Sequence, residues 1–345
     1  MWKIKGTIRY FLSMWTVTFV QMGIFIYIQQ MIAGSNRGEV QDFRWESLLL
    51  QLFVLLPYVV FAAPASFLSN RFPKHKVLAW TSVLMTAFLI AMAVCATVGV
   101  SGVAYWLFLG LATGFALHSP AKYGILKEMC STRYLGYANA FFFLVSLISL
   151  VAASALCLGG VEFVRSNFEN VPNVNDFLSS SIALPWILTG FSVFGTVLSF
   201  FIPKVGTEST TTKIRSVKRE FRSTLSNPLV RATILGISMF WGMAQVFVLI
   251  FQDANGQGIN FLKNSILFAF LGLAIGSIWA ARSSRNFIET GHIPLGMLLV
   301  VVSMVPIPFV SNPTVLAILF TLAGLGGDLF LVPLNSLLQY NTKPH

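Results

Sequence analysis

Asp328 lies in the run Ala323-Gly324-Leu325-Gly326-Gly327-Asp328-Leu329, an acid among residues with no other polar side chain. An ionised carboxylate costs about 3 kcal/mol at the centre of a hydrocarbon layer on insertion scales, so an acid kept there calls for a cation or a proton to carry. Two readings stand. The side chain takes an amine or a proton, or it snorkels towards an interface less than three turns away. Lys122 is the matching cation. Its compact point charge suits a phosphate, and equally a lysine that anchors the end of a helix. Glu128 could pair with Lys122 or Arg71, or form an ordinary surface pair. Gln21, Gln51, Asn139, Gln245 and Asn335 are uncharged amides in apolar stretches, fitted to hydrogen-bond a polar solute or to bridge helices.

Catalytic chemistry finds little support in the same residues. A histidine that activates a hydroxyl needs an orienting acid, and none of the four has one five positions on: residue 80 is Trp80, residue 123 is Tyr123, residue 297 is Met297, and His345 is the last residue. No His or Cys spacing of the metal-binding kind occurs, nor a phosphate-binding glycine loop with its lysine. Cys95 and Cys157 lie in apolar stretches and Cys130 in a polar connection, so no disulfide framework is implied. The reading expects no cofactor and no enzymatic activity.

The elements that must position these groups follow from composition. Of 345 residues, 56% are hydrophobic and 10% charged, far from the quarter or so of charged residues in soluble domains. About 20 apolar residues cross a hydrocarbon core roughly 30 Å thick. Stretches free of Asp, Glu, Lys and Arg run over 10–36, 47–70, 77–121, 134–161, 177–203, 232–252, 264–281 and 290–327. Two are double length and are divided by turn residues, Gly99-Val100-Ser101-Gly102 and Ser311-Asn312-Pro313. Ten spans result, near 10–33, 47–69, 77–98, 102–121, 137–158, 181–203, 229–251, 264–281, 292–310 and 314–336. Pro57, Pro64, Pro306 and Pro308 mark expected bends.

Charge then orients the spans. With the N-terminus inside, 19 of the 23 basic residues fall on the cytoplasmic side and only Arg37, Arg44, Arg165 and Lys263 outside. The net charge of +11 is thereby explained by topology. A nucleic-acid partner would require the basic residues gathered on one solvated face with aromatics between them, and here they are dispersed over six segments. The fold class expected is an all-α polytopic membrane protein with three parts: residues 1–203 as a six-helix half, 204–228 as a basic cytoplasmic linker or lipid-headgroup contact, and 229–345 as four further helices.

Six helices, a basic middle segment and a second set of helices is the layout of the major facilitator superfamily. The loop Ser66-Phe67-Leu68-Ser69-Asn70-Arg71-Phe72-Pro73-Lys74-His75-Lys76 resembles that superfamily's signature, with Asn70 where an Asp is usual; Gly276 to Arg282 echoes it after the eighth helix. The resemblance implies that Asn70, Arg71, Lys74, Glu128 and Arg282 belong to cytoplasmic gating. More specifically, Ser119-Pro120-Ala121-Lys122-Tyr123-Gly124 resembles a signature of bacterial lysophospholipid transporters, found alone or fused ahead of an acyltransferase and an acyl-carrier-protein synthetase. Tyr137-Ala138-Asn139-Ala140, Phe240-Trp241-Gly242 and Phe330-Leu331-Val332-Pro333-Leu334-Asn335-Ser336-Leu337-Leu338-Gln339 agree with it in order.

That resemblance implies transport of lysophospholipids such as lysophosphatidylethanolamine across a bacterial inner membrane for reacylation. The partners implied are membrane lipid and an acyltransferase or acyl-carrier-protein synthetase. Its site residues would be Asp328, Lys122, Gln245, Asn139, Asn335 and Gln21. The sequence departs from the family at Met14-Trp15-Thr16-Val17-Thr18, where a polar pair with an acid is usual, and at Asp328, where the family has a small or apolar residue. Ten spans against the family's twelve imply two missing C-terminal helices. A facilitator of another small solute, and a non-transporting membrane portion of a fused acyltransferase polypeptide, stay open as alternatives.

Overall fold

The computed structural model describes residues 6–35, 40–130, 134–157, 182–204, 226–253, 260–285, 287–310 and 312–341, with side chains described except at 33–35, 40–44, 101, 245–253 and 260–266. Each expected apolar span has become helix: α1 (Thr7–Ser35), α2 (Val40–Val60), α3 (Ala62–Arg71), α4 (Lys74–Val98), α5 (Ala104–Met129), α6 (Leu135–Ala155), α7 (Ala183–Phe200), α8 (Pro228–Asp253), α9 (Asn260–Ser283), α10 (His292–Met304) and α11 (Pro313–Asn341). Among the described residues, six helices are long and apolar enough to cross a membrane, or seven if the bent pair α2 and α3 is one span. Shorter apolar stretches, Pro228–Ala244 and Leu267–Ser283, lie in α8 and α9. The ten spans read from charge-free runs are therefore ten helical segments of unequal apolarity; α5, which contains His118, Lys122, Lys127 and Glu128, is not among the six.

Local chemistry sets the boundaries. Gly99 ends α4 in the left-handed region at φ 79°, where its N–H donates back to Ala96 and Cys95, a conformation that costs a residue with a Cβ. Two helices open on the pair Asn-Pro. Asn227 Oδ1 accepts from the N–H of Leu229 at 3.0 Å, and Asn312 Oδ1 from the N–H of Thr314 at 2.9 Å. In each case proline fills the first helical position, where its missing donor is not needed. The break between α2 and α3 bends the chain by 50°. It falls just ahead of Pro64, which has no N–H to offer the carbonyl of Val60. Past α10, Pro306 and Pro308 convert the chain to a single turn of 3-10 helix at Ile307–Phe309.

The chain divides into two compact units. One takes Ile4–Ile125 with Ile148–Thr211, the other Leu126–Leu147 with Thr212–His345. The last turn of α5 and most of α6 thus pack with the second unit, although they precede the basic segment in sequence. That segment, expected as a linker at 204–228, lies outside the described residues except at its two ends.

In the first unit α7 packs against α1 and α4. Gly195 meets Thr16 and Gly23 meets Leu188 so closely that a Cβ would collide. The buried core there includes Phe19, Ile24, Ile28, Leu89, Met92 and Leu111. In the second unit α11 packs against α9, α10 and α8. A Cβ on Gly272 would strike the carbonyl of Thr321, and one on Gly324 that of Ala269, which fixes the α9–α11 seam at backbone contact. Gly296 and Gly326 do the same between α10 and α11, each Cβ meeting the other's carbonyl oxygen at 2.6–2.7 Å. Small residues at this spacing let helices associate through van der Waals contact in lipid, where no hydrophobic force drives them together.

Candidate transport site

Lys122 sits in the penultimate turn of α5, half-buried, with its Nζ 5.1 Å from the centroid of the Tyr123 ring. Its backbone is held independently of its side chain, because the buried Tyr10 hydroxyl on α1 donates to the Lys122 carbonyl at 2.8 Å. Tyr123 lies within electrostatic range of Tyr58 on α2, and Tyr58 shares a hydrogen bond with Gln21 on α1. The ammonium stands beside one phenol, that phenol is in range of a second, and the second pairs with an amide, the groups coming from three helices. An ammonium supplies charge to a phosphate, while phenols and an amide can donate to its oxygens or to a neighbouring hydroxyl.

One turn before Lys122, His118 is 2% exposed. Its Nδ1 shares a hydrogen bond of 2.8 Å with Thr81 Oγ1, which also lies 2.7 Å from the Val77 carbonyl, and its buried Nε2 has no hydrogen-bond partner among the described residues. The neighbouring Ser82 hydroxyl likewise has no hydrogen-bond partner among the described residues. It lines a small cavity with Thr16, Phe115, Ser192 and Thr196. Thr86 bonds both Ser192 and Thr196, at 2.7 and 2.8 Å. In the sequence His118 stands out only as a catalytic candidate and Tyr123 only as part of a signature, while Tyr58 and these hydroxyls carry no signal until α1, α2, α4 and α5 are adjacent.

The second unit holds two further polar groups. Fully buried Asn139 on α6 donates through Nδ2 to Leu135 O, Ser336 Oγ and Gln339 Oε1 at 3.0–3.2 Å, and its Oδ1 accepts from Gln339 Nε2 at 2.8 Å. Lys127 Nζ donates to the Gln339 carbonyl at 2.5 Å, placing a cation at the carbonyl end of α11. Asn139 and Gln339, 200 positions apart, thus form a reciprocal amide pair. Asn335 takes no part in it, bonding instead to Leu331 of its own helix at 2.9 Å. Replacing Asn139 by alanine should cost about 1–2 kcal/mol, because the Gln339 amide is left unsatisfied in a buried place. Thermal unfolding of the purified variant followed by tryptophan fluorescence checks this; unchanged unfolding would mean that the pair carries no stability.

Asp328 is the only carboxylate in the buried class among the described residues, at 3% exposure. Ser277 Oγ on α9 donates to its Oδ2 inside the α9–α11 seam. The residues expected to gate are spread out. Asn70 and Arg71 are exposed at the end of α3, with the Arg71 guanidinium 5.6 Å from the Phe67 ring. Lys74 lies against Gly124 of α5, Glu128 is half-buried, and Arg282 is exposed at the end of α9. Gln245 falls on α8 at a position whose side chain is outside the described ones.

Comparison with known proteins adds the following. A profile described as Major Facilitator Superfamily matches residues 10–345. A protein of Photorhabdus laumondii named lysophospholipid transporter LplT is 27% identical over 315 residues, which is 86% of this chain and 71% of that protein. One of the same name from Shigella flexneri is 26% identical over 314 residues, 87% and 72% of the two chains. Among solved structures, a bacterial homologue of the iron transporter ferroportin in an outward-facing state superposes with a TM-score of 0.69 at 12% identity, covering 99% of this chain and 86% of the other. The E. coli fucose:proton symporter gives 0.70 at 11% identity, over 97% and 88%. At these identities the structures speak for the fold alone.

Proposed function

Because the chain belongs to the major facilitator superfamily, we propose that it transports lysophospholipids, such as lysophosphatidylethanolamine, across a bacterial inner membrane. The observation that carries this reading is the agreement along 86% of the chain with a protein named for that substrate. The residues fit the chemistry. Lys122 takes the phosphate, while Tyr58, Tyr123 and Gln21 serve the phosphate and glycerol oxygens. The acyl chain keeps to lipid, so only the headgroup needs polar partners.

In this reading the N-terminus is cytoplasmic, which places the basic helix ends on the cytosolic face. Movement is inward, towards an acyltransferase that restores the second acyl chain. Asn70, Arg71, Lys74, Glu128 and Arg282 then belong to the cytoplasmic ends of the helices on which gating rests, and the Asn139–Gln339 pair with Lys127 ties the end of α11 to α5 and α6 at that same face.

Uptake of radiolabelled lysophosphatidylethanolamine by spheroplasts, with and without the expressed chain, tests the assignment. Expression should raise uptake above background, and excess unlabelled lysophosphatidylglycerol should compete where glycerol alone does not. Uptake no greater than in empty-vector spheroplasts, with the protein present in the membrane, would remove it. Tyr58→Phe keeps the ring and removes the hydroxyl, and should raise the KM for lysolipid by about 3- to 10-fold, the worth of one hydrogen bond. An unchanged KM would take Tyr58 out of the site.

A further inference from the structure

Three helix ends of the first unit meet, and each brings a cation. A Cβ on Gly6, just before α1, would lie 3.3 Å from Pro203, three residues past the end of α7. The Arg9 guanidinium is 6.0 Å from the centroid of the Phe201 ring. Lys204 and Lys76 both lie within electrostatic range of His75, in the first turn of α4. Arg9, Lys76 and Lys204 are exposed. Among the described side chains of this unit the one carboxylate is Glu46, and it accepts from Tyr105 at 3.2 Å. Tyr105 lies in the first turn of α5, beyond the opposite end of the 25-residue α4.

Beside these cations the surface is apolar and turned outward. Trp80, one turn along α4 from Lys76, is 69% exposed, and Phe201 is 58% exposed. Val197 and Phe194 continue from Phe201 along α7 at helical spacing and are exposed too, while Gly195 and Ser199 are buried. Aromatic rings of this kind settle at the headgroup level of a bilayer. A group of cations at the head of an apolar stripe is complementary to a molecule with an anionic head and acyl chains. A small soluble anion would leave the stripe unused. A second copy meeting this face by two-fold symmetry would set cations against cations.

We propose that this face binds an anionic diacyl phospholipid of the phosphatidylglycerol kind, with its phosphate among Arg9, Lys76 and Lys204 and its acyl chains along Trp80, Phe201 and Val197. The site selects by charge. Phosphatidylethanolamine offers the same phosphate and the same chains, but its ammonium would meet three cations and, among the described residues, no acid. Phosphatidylglycerol carries no such group. With the N-terminus in the cytoplasm the lipid is one of the inner leaflet, where basic side chains find anionic headgroups. It is held on the lipid-facing surface of one unit and is not cargo, so the proposal stands or falls apart from what the chain transports.

Native mass spectrometry of the full chain, after incubation in detergent with equal amounts of dioleoyl phosphatidylglycerol and dioleoyl phosphatidylethanolamine, reads the site. Phosphatidylglycerol adducts should dominate. Each charge removed should weaken them about 5-fold, so the triple variant Arg9→Gln, Lys76→Gln, Lys204→Gln should lose them and keep its phosphatidylethanolamine adducts. The double variant Arg231→Gln, Arg282→Gln removes two exposed cations of the other unit and should match the wild type. Excess glycerol 3-phosphate, a headgroup without chains, should not compete. Equal adducts of the two lipids, or an equal loss in the triple and double variants with both folded by near-ultraviolet circular dichroism, would overturn the proposal. Competition by glycerol 3-phosphate would overturn it in favour of a soluble anion. A dimer that dissociates only in the triple variant would give the face to a second copy instead.

Discussion

Gly272→Val is expected to abolish a stably folded C-terminal unit. The Cβ would run into the Thr321 carbonyl, with the Thr321 carbonyl carbon 2.8 Å and the Leu325 nitrogen 2.9 Å away. Those obstacles are backbone of α11, not the tip of a side chain, so the helix itself must move. Gly324 meets α9 in the same way, so the displacement would be felt along the whole seam. Overpacking of a core typically costs about 1–3 kcal/mol and more when backbone must shift. Since α11 also holds Gly326 against α10 and Gln339 against α6, the loss spreads to contacts far from residue 272. Size-exclusion profiles in mild detergent should show aggregation of Gly272→Val and a monodisperse Gly242→Val, since nothing lies within 4 Å of a Cβ at Gly242. Equal profiles would mean that the seam tolerates separation.

Lys122→Gln is the second large effect, and it falls on transport with folding unchanged. Tyr10 holds residue 122 through its backbone carbonyl, a link that glutamine retains. What is lost is the cation beside Tyr123. A hydrogen bond to a charged group is worth about 1.5–3 kcal/mol, so the apparent affinity for a phosphate headgroup should fall by about 10- to 100-fold. Lys122→Arg, which keeps the charge in a broader shape, should recover part of it. Uptake kinetics measured with the same amount of folded protein separate the two outcomes; a KM unchanged in Lys122→Gln would assign the lysine to membrane anchoring.

The helices were legible because length and freedom from charge are linear properties of a sequence, and membrane crossing depends on both. Turn chemistry was legible for the same reason: Gly99, Asn312 and Pro64 act on residues within four positions of themselves. Lys122 and Asp328 could be singled out because a charge in an apolar run is costly wherever the run packs. Their surroundings could not. Tyr58 reads as an unremarkable aromatic until α2 and α5 stand side by side, and His118 gains its meaning from Thr81, 37 positions earlier. Asn139 stood out as an amide in an apolar run, but its partner Gln339 did not, because that pairing depends on which face of α11 meets α6. The basic segment before α8 shows the converse. Its charge was easy to read, but charge does not say with which unit α6 packs, and most of that helix joins the later residues.

The most direct test of the account is leaflet exchange by the purified chain. Proteoliposomes loaded with a fluorescent lysophosphatidylethanolamine are exposed to a membrane-impermeant quencher, and the fraction of label reaching the shielded leaflet is followed in time. Vesicles with the wild-type chain should move label well beyond protein-free vesicles, and those with Lys122→Gln only slowly. Exchange no faster than in protein-free vesicles, with the chain folded and inserted, would contradict the claim that this protein carries lysophospholipid across the bilayer.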